Sequence, residues 1–157
     1  MSGTTRPTPV RAAVLLGALL ALSTVLSLSP VSTPRAQALT MDQRLHVLRV
    51  AASREGAPYR YGAAGPWRFD CSGYTQWVFA KLGKRLPHNS AMQSSVVRHV
   101  RARYRQRGDL VFFSSGGHVY HVAIYAGRGR IWHAPRTGER VHRERLWTSN
   151  VSYGRVR

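Results

Sequence analysis

The fold of this chain is restricted most by a change in hydrophobic period along its length. Apolar residues recur at helical spacing between residues 39 and 83, whereas residues 109–156 hold short β-prone runs separated by glycine-containing turns. Helices followed by a meander of strands are typical of an α+β fold with an antiparallel sheet of about five strands. The strands are expected at residues 109–114, 119–125, 129–134, 139–146 and 151–156.

Three helices are predicted ahead of the strands. The first carries apolar residues from Leu45 to Ala51 and ends at the glycine and proline that follow. The second begins at Cys71, behind Asp70 as its N-cap residue, so Cys71 lies in its first turn. A short third helix is expected around residues 91–99, followed by a basic connection.

Residues 1–38 have the three parts of a signal peptide. Two arginines precede an uncharged run from Ala12 to Pro30, and Ala36 and Ala38 supply the small residues that a signal peptidase requires. We expect cleavage after Ala38, one globular domain at residues 39–157 and a secreted protein. An uncleaved membrane anchor is the alternative, because about 20 apolar residues span a bilayer. The serines and the proline in the run favour cleavage, after which no membrane contact is expected.

The chain is strongly basic, with 24 Lys and Arg against 6 Asp and Glu. Removal of residues 1–38 takes away three arginines and no acidic residue, which leaves a formal charge of +15. Such a charge attracts anionic polymers, although an arginine-rich genome would produce it as well. Because no nucleic-acid-binding motif is recognisable and export is expected, we predict anionic cell-wall polymers rather than nucleic acid as partners of a monomer.

Cys71 is the one cysteine of the chain, so no intramolecular disulfide can form. Exported proteins usually place cysteines in disulfides, and a lone thiol is therefore buried and inert, paired with another chain, or kept for its reactivity. The first turn of a helix favours the thiolate, and its free N–H groups can hold an oxyanion. Gly73 is small enough to let a substrate backbone approach. These features favour a reactive nucleophile.

A nucleophilic thiol needs a base, and strand parity selects among the histidines. If residues 126–128 form a three-residue loop, His121 pairs with His133 across two strands, with about 5 Å between the Cβ atoms. A two-residue loop would place the two rings on opposite faces. Two adjacent imidazoles would supply a base and a group that holds its ring.

His118, His121 and His133 together could instead bind zinc. Residues three apart on a strand point to opposite faces, and no acidic zinc-ligand motif accompanies the histidines. We therefore expect neither a metal nor a cofactor.

Six short motifs occur in order between residues 56 and 135, namely GAPYRYG at 56–62, FDCSG at 69–73, LPHNS at 86–90, GDLVFF at 108–113, HVAIY at 121–125 and HAP at 133–135. They resemble the NlpC/p-sixty family of cell-wall cysteine peptidases. Ala63 replaces a glycine that is usual in the family, and Arg107 replaces a proline. Both departures fall in loops.

The resemblance implies a papain-like α+β fold whose nucleophile begins a helix that packs on the sheet. It implies these site residues: Cys71 as nucleophile, His121 as base, His133 as orienting group, Tyr59 beside the oxyanion, and Asp70 and Ser72 at the amine end of the substrate.

The resemblance also implies a substrate and a reaction. The expected substrate is a peptidoglycan stem peptide, and the expected bond joins the side-chain carboxyl of D-glutamate to the diamino acid. Two alternatives stay open. One is a catalytically inactive basic module that binds anionic wall polymers, and the other is a cysteine amidase or acyltransferase on the same scaffold.

Overall fold

The computed structural model describes residues 1–3 and 38–157. The chain divides into two compact units, Met1–Pro34 and Arg35–Arg157. Within the first unit only residues 1–3 are described, and they form neither helix nor strand. The predicted signal peptide at residues 1–38 lies almost wholly outside the described residues and stays a prediction.

Three α-helices precede a six-stranded sheet within residues 38–157. The helices are α1 (Met41–Ala52), α2 (Cys71–Ala80) and α3 (Ser90–Val96), and a turn of 3-10 helix covers Ala102–Tyr104. The strands are β1 (Arg98–Val100), β2 (Leu110–Ser115), β3 (His118–Gly127), β4 (Arg130–His133), β5 (His142–Arg145) and β6 (Val151–Arg155).

The strands form one antiparallel sheet in the order β1-β6-β2-β3-β4-β5. The five predicted strands correspond to β2 through β6, and the predicted α+β class is confirmed. Strand β1 was not expected, since its residues were assigned to the end of a helix and a basic connection. It forms because Arg98–Val100 pairs with the end of β6, which is distant in sequence. These three residues do not alternate between apolar and polar, so no local pattern predicts the strand.

The helices cover one face of the sheet. Tyr74, Val78 and Phe79 of α2 are fully buried against strand residues that include Val122 and Ile124. Burial of each large apolar side chain contributes about 1.5–3 kcal/mol. The Tyr74 hydroxyl donates a hydrogen bond of 2.9 Å to the Ala51 carbonyl of α1. These contacts fix the position of α2 and therefore of its first residue, Cys71.

The opposite face of the sheet has a smaller apolar cluster. It contains Val111, Phe113, Ala123, Tyr125, Ile131 and Tyr153. The Arg105 guanidinium lies over the rings of Tyr125 and Tyr153, at 5.3 and 5.6 Å from their centroids. An arginine stem and its delocalised charge thus shield aromatic surface that α1, α2 and α3 leave uncovered.

The β3–β4 hairpin differs from the predicted one in two compensating ways. Its loop has two residues, Arg128 and Gly129, both with positive φ, rather than three. A bulge at Ala126 adds one residue to β3, because Tyr125 pairs with Ile131 while Gly127 pairs with Arg130. The register is shifted by two residues from the prediction, an even number, so residues expected on one face still share it.

Candidate active site

Cys71 is the first residue of α2, as the sequence predicted, and Asp70 is the N-cap residue. The Asp70 backbone is extended and its Oδ1 accepts a hydrogen bond of 2.7 Å from the Gly73 N–H. The cap leaves the N–H groups of the first turn beside the thiol directed out of the helix.

The Asp70 carboxylate organises the residues around Cys71. Besides the Gly73 N–H, Oδ1 accepts from the Ser72 hydroxyl at 3.0 Å. The other oxygen, Oδ2, accepts from the Gly62 N–H at 2.8 Å and lies 2.8 Å from His88 Nε2. A carboxylate accepts about four hydrogen bonds, so these donors occupy the buried Asp70 side chain fully. The predicted contact of Asp70 with a substrate amine would have to displace one of them.

Gly73 is required for a different reason from the one predicted. It faces the backbone of residues 63 and 64, and a Cβ added at Gly73 would lie 2.8 Å from the Ala64 Cα. The absent side chain therefore lets the loop before α2 pack against its first turn. The glycine therefore serves loop packing, and its part in the approach of a substrate stays a prediction.

His121 and His133 are in direct contact. His121 Nε2 lies 2.9 Å from His133 Nδ1, and the ring planes are inclined by 78°. Both side chains are buried. Because Nε2 of His121 is used in this bond, Nδ1 is the ring nitrogen of His121 left to accept a proton from the thiol.

Glu144 on β5 lies next to His133, so that His121, His133 and Glu144 form a row of side chains. Its Oε1 lies 2.8 Å from His133 Nε2, off the direction of a hydrogen bond, and no other partner for that nitrogen lies within the described residues. Glu144 was not among the predicted site residues, because β5 alternates exposed and half-buried residues and His133 lies on another strand.

The reacting groups are held in their neutral forms. Burial raises the pKa of the Cys71 thiol, backbone N–H groups led by that of Val122 lower it, and the Asp70 carboxylate raises it; burial prevails. Burial also lowers the pKa of His121 to about 4. The pKa of His133 is lowered by burial and then by the rings of His121 and His142. The predicted preference for thiolate at the helix N-terminus is therefore outweighed in the resting protein.

An open cleft of about 460 Å³ is lined by both Cys71, at the start of α2, and His121, on β3. Tyr59, Tyr120 and Trp147 also line it. A second hollow of about 360 Å³ adjoins it and shares Tyr59, Cys71 and Tyr120. Cys71 therefore lies where the two hollows meet.

The remaining predicted residues fall into these two hollows. Tyr59 borders both, and burial followed by the charge of Cys71 raises the pKa of its hydroxyl. Ser72 lines the second hollow together with Asp70 and His88. The two hollows are thus lined by five of the six predicted site residues, and the sixth, His133, is buried and contacts His121 at 2.9 Å. Their roles stay predictions.

His118 is exposed and lines neither hollow. The parity argument used to separate it from His121 is wrong, because a bulge at Tyr120 changes the register: Phe113 pairs with His121 while Ser114 pairs with Val119. His118 and His121 consequently have the same parity on β3.

Sequence reasoning missed two aromatic residues of the cleft. Tyr120 is the bulged residue and is more than half exposed, and a bulge re-aims a side chain in a way that no alternation pattern shows. Trp147 stacks on Phe113 with ring centroids 4.4 Å apart and lies 5.6 Å from the His133 ring. Its position after β5 gave no local signal.

The amino-acid sequence is similar to a known family and to curated proteins. The NlpC/P60 family model matches residues 56–155. A Listeria monocytogenes protein named "Probable endopeptidase p60" is 37% identical over 113 residues, which cover 70% of this chain and 23% of that protein. The "Bifunctional muramidase/DL-endopeptidase CwlT" of Bacillus subtilis is 35% identical over 125 residues, covering 75% and 38% respectively.

A solved structure gives the same result for the fold. The NlpC/p60 domain of the peptidoglycan hydrolase SagA is 31% identical with a TM-score of 0.65, and the match covers 73% of this chain and 97% of that domain. The chain spans less than half the length of the curated relatives named above. Among residues 1–3 and 38–157, no helix has the length and apolar character that a membrane crossing requires.

Proposed function

This chain belongs to the NlpC/P60 family, and on that premise we propose that it is a secreted cysteine endopeptidase that hydrolyses peptidoglycan stem peptides. The observation that carries the proposal is one cleft lined by both Cys71 and His121, with His121 Nε2 2.9 Å from His133 Nδ1. The named relatives include endopeptidases and a peptidoglycan hydrolase, which supports this substrate class.

The proposed reaction begins with transfer of the Cys71 proton to Nδ1 of His121. The sulfur attacks the carbonyl carbon of the scissile amide, and N–H groups at the start of α2, with Tyr59 nearby, stabilise the oxyanion. His121 then gives its proton to the leaving amine, and a thioester remains on Cys71. Water, deprotonated by His121, hydrolyses the thioester and restores the thiol.

The bond proposed for cleavage joins the side-chain carboxyl of D-glutamate to the diamino acid. The hollow that contains Ser72 and Asp70 would hold the amine end of the stem peptide. The cleft that contains Trp147, Glu139 and Glu144 would hold the diamino acid side, where two carboxylates favour a free amine of the substrate.

Mass spectrometry of a muropeptide digest tests the proposal. The protein from residue 39 should release a fragment that ends in D-glutamate, and Cys71→Ser should release none. Removal of ammonia or transfer of an acyl group would identify the amidase or acyltransferase instead. Binding without any product would identify an inactive module.

Intact mass of protein recovered from the medium tests secretion, since cleavage after Ala38 gives a chain that starts at Leu39.

A second proposed property, binding of anionic wall polymers, rests on a separate cavity. This cavity of about 620 Å³ is lined by Arg98, Arg101, Arg103, Arg105 and Arg155. Arg155 pairs with Asp109, but the first four arginines have no carboxylate within salt-bridge distance in the described part of the chain. A guanidinium group can donate two parallel hydrogen bonds to the oxygens of one phosphate. Phosphodiester polymers therefore fit this cavity.

A further inference from the structure

We propose that His133, His142 and Glu144 form a zinc-binding site whose occupancy inhibits the enzyme. Binding of zinc stands on the geometry of these three residues alone. Inhibition additionally rests on the proposed peptidase function.

The sheet brings the three side chains together. His133 on β4 pairs directly with His142 on β5, and Glu144 lies two residues farther along β5 on the same face. One ligand atom from each residue lies within 4.8 Å of the other two. Two imidazoles and one carboxylate are a ligand set that zinc uses with water as its fourth ligand.

Each imidazole already has its other nitrogen hydrogen-bonded, as ligand histidines do. His142 Nδ1 donates to the Arg140 carbonyl at 2.8 Å, so the neutral ring has its lone pair on Nε2, 3.8 Å from Glu144 Oε2. His133 Nδ1 contacts His121, and His133 Nε2 is buried without a hydrogen-bond partner in the described residues. Both free nitrogens therefore border the same carboxylate.

Zinc binding here requires the three ligand atoms to adjust. Ligands about 2.0–2.1 Å from zinc in a tetrahedron are about 3.3 Å apart. The present separations are 2.8 Å from His133 Nε2 to Glu144 Oε1 and 3.8 Å from His142 Nε2 to Glu144 Oε2. One ligand atom of each residue lies within 4.8 Å of the other two, so the widest separation has to close by at most about 1.5 Å. The side chains of His142 and Glu144 are 38% and 39% exposed, which leaves room for the ion to enter with a water ligand.

Zinc at this site would prevent His121 from acting as the base. Coordination of His133 through Nε2 leaves the ring proton on Nδ1, which must then donate to Nε2 of His121. The neutral His121 ring would consequently carry its proton on Nδ1, the nitrogen that must accept the proton of Cys71. Inhibition thus follows from the tautomer of His121, without contact between zinc and Cys71.

The ion would be a reversible regulator rather than a permanent component. The formal charge of +15 on residues 39–157 opposes the approach of a cation, and two of the ligands, His133 and Glu144, belong to the row of side chains that begins at His121. Two nitrogen ligands favour zinc over calcium or magnesium, which prefer oxygen.

Binding is tested by titrating zinc into the Cys71→Ser protein, which lacks the thiol as a competing ligand, against a chromophoric chelator. We expect a one-to-one complex. Adding His142→Ala should weaken it at least about tenfold, whereas His99→Ala, which removes an exposed histidine on β1, should leave it unchanged. No complex, or equal affinity in the His142→Ala protein, overturns the proposal.

Inhibition is tested on the unsubstituted chain with buffered free zinc and a soluble muropeptide. Activity should fall with zinc and return with EDTA, and His142→Ala should keep its basal activity and lose most of the inhibition. Full inhibition of the His142→Ala protein would place the inhibitory ion elsewhere and overturn the mechanism. If the chain shows no turnover at all, the proposed function fails, while the titration still decides the zinc site.

Discussion

At Cys71 and His121, burial opposes charge on both reacting side chains. It raises the pKa of the thiol and lowers that of the imidazole, so the resting pair is neutral and the proton moves during attack. A preformed thiolate–imidazolium pair would need the opposite shifts. The proposed reaction is therefore general-base catalysis rather than attack by a preformed ion pair.

This neutral pair predicts the acid limb of the pH profile. Above the pKa of His121 the ring accepts the thiol proton, and below about pH 4 it is protonated and cannot. We expect kcat/KM on a soluble muropeptide to persist well below pH 6.5 and to fall toward pH 4. Circular dichroism at each pH separates loss of catalysis from acid unfolding. An acid limb at the ordinary histidine value of about 6.5 would contradict this account.

The division of labour among the side chains is tested by four alanine variants. Cys71→Ala should abolish turnover and His121→Ala should be nearly as damaging, because each removes a group that takes part in bond making. His133→Ala should cost about 10- to 1,000-fold, as orientation is lost while the base remains. The exposed His118 should tolerate alanine.

All four variants should be assayed on one muropeptide alongside thermal unfolding, so that a collapsed fold is not counted as lost chemistry. A folded His121→Ala protein with near-native activity, together with an inactive His118→Ala protein, would exclude the proposed base.

At the scale of elements, the sequence predicted what local pattern controls. Helical periodicity and the Asp70 cap place α2 and Cys71 correctly, and five strands fall near their predicted positions. Tertiary pairing decides the rest. Strand β1 forms only by pairing with β6, and the bulges at Tyr120 and Ala126 set the register of β3. Contact between His121 and His133 was predicted, but through a loop and register that the hairpin does not have.

A buried ion cluster connects elements distant in sequence. Asp109, fully buried immediately before β2, accepts from Arg155 of β6 at 2.8 Å and from Arg44 of α1 at 3.2 Å. It also caps the preceding turn through the Gln106 N–H at 2.7 Å. One carboxylate thus joins the first helix to the central strands.

Loss of that carboxylate should destabilise the fold strongly. Asp109→Ala leaves two buried guanidinium groups without their partner, and breaking a buried pair costs about 3–5 kcal/mol. Urea unfolding should show this loss in the free energy of unfolding. Asp42→Asn, an exposed acid in the first turn of α1, is the matched control and should change it little. A small effect of Asp109→Ala would mean that Arg44 and Arg155 reach water readily.

At the scale of the whole molecule, the arginine-lined cavity lies apart from the candidate active site. The arginine-lined cavity is formed by β1, the 3-10 turn and the end of β6, whereas the cleft lies beside α2, β3 and the segments around β5. The two hollows that meet at Cys71 share no lining residue with that cavity. Polymer binding and hydrolysis of a small peptide should therefore respond separately to salt and to substitution.

This separation predicts that salt weakens attachment to insoluble wall much more than hydrolysis of a soluble muropeptide. Charges farther apart than about 8 Å are screened at physiological ionic strength, and each polymer phosphate bound releases counterions. Replacing Arg98, Arg101 and Arg103 by alanine should make the logarithmic salt slope of wall binding shallower by about two, with soluble turnover unchanged. The matched control replaces three exposed arginines outside the cavity, Arg49, Arg68 and Arg85. Equal changes in both triple variants would show that total charge, rather than the cavity, attracts the wall, because the two variants carry the same net charge and differ only in where the arginines lie.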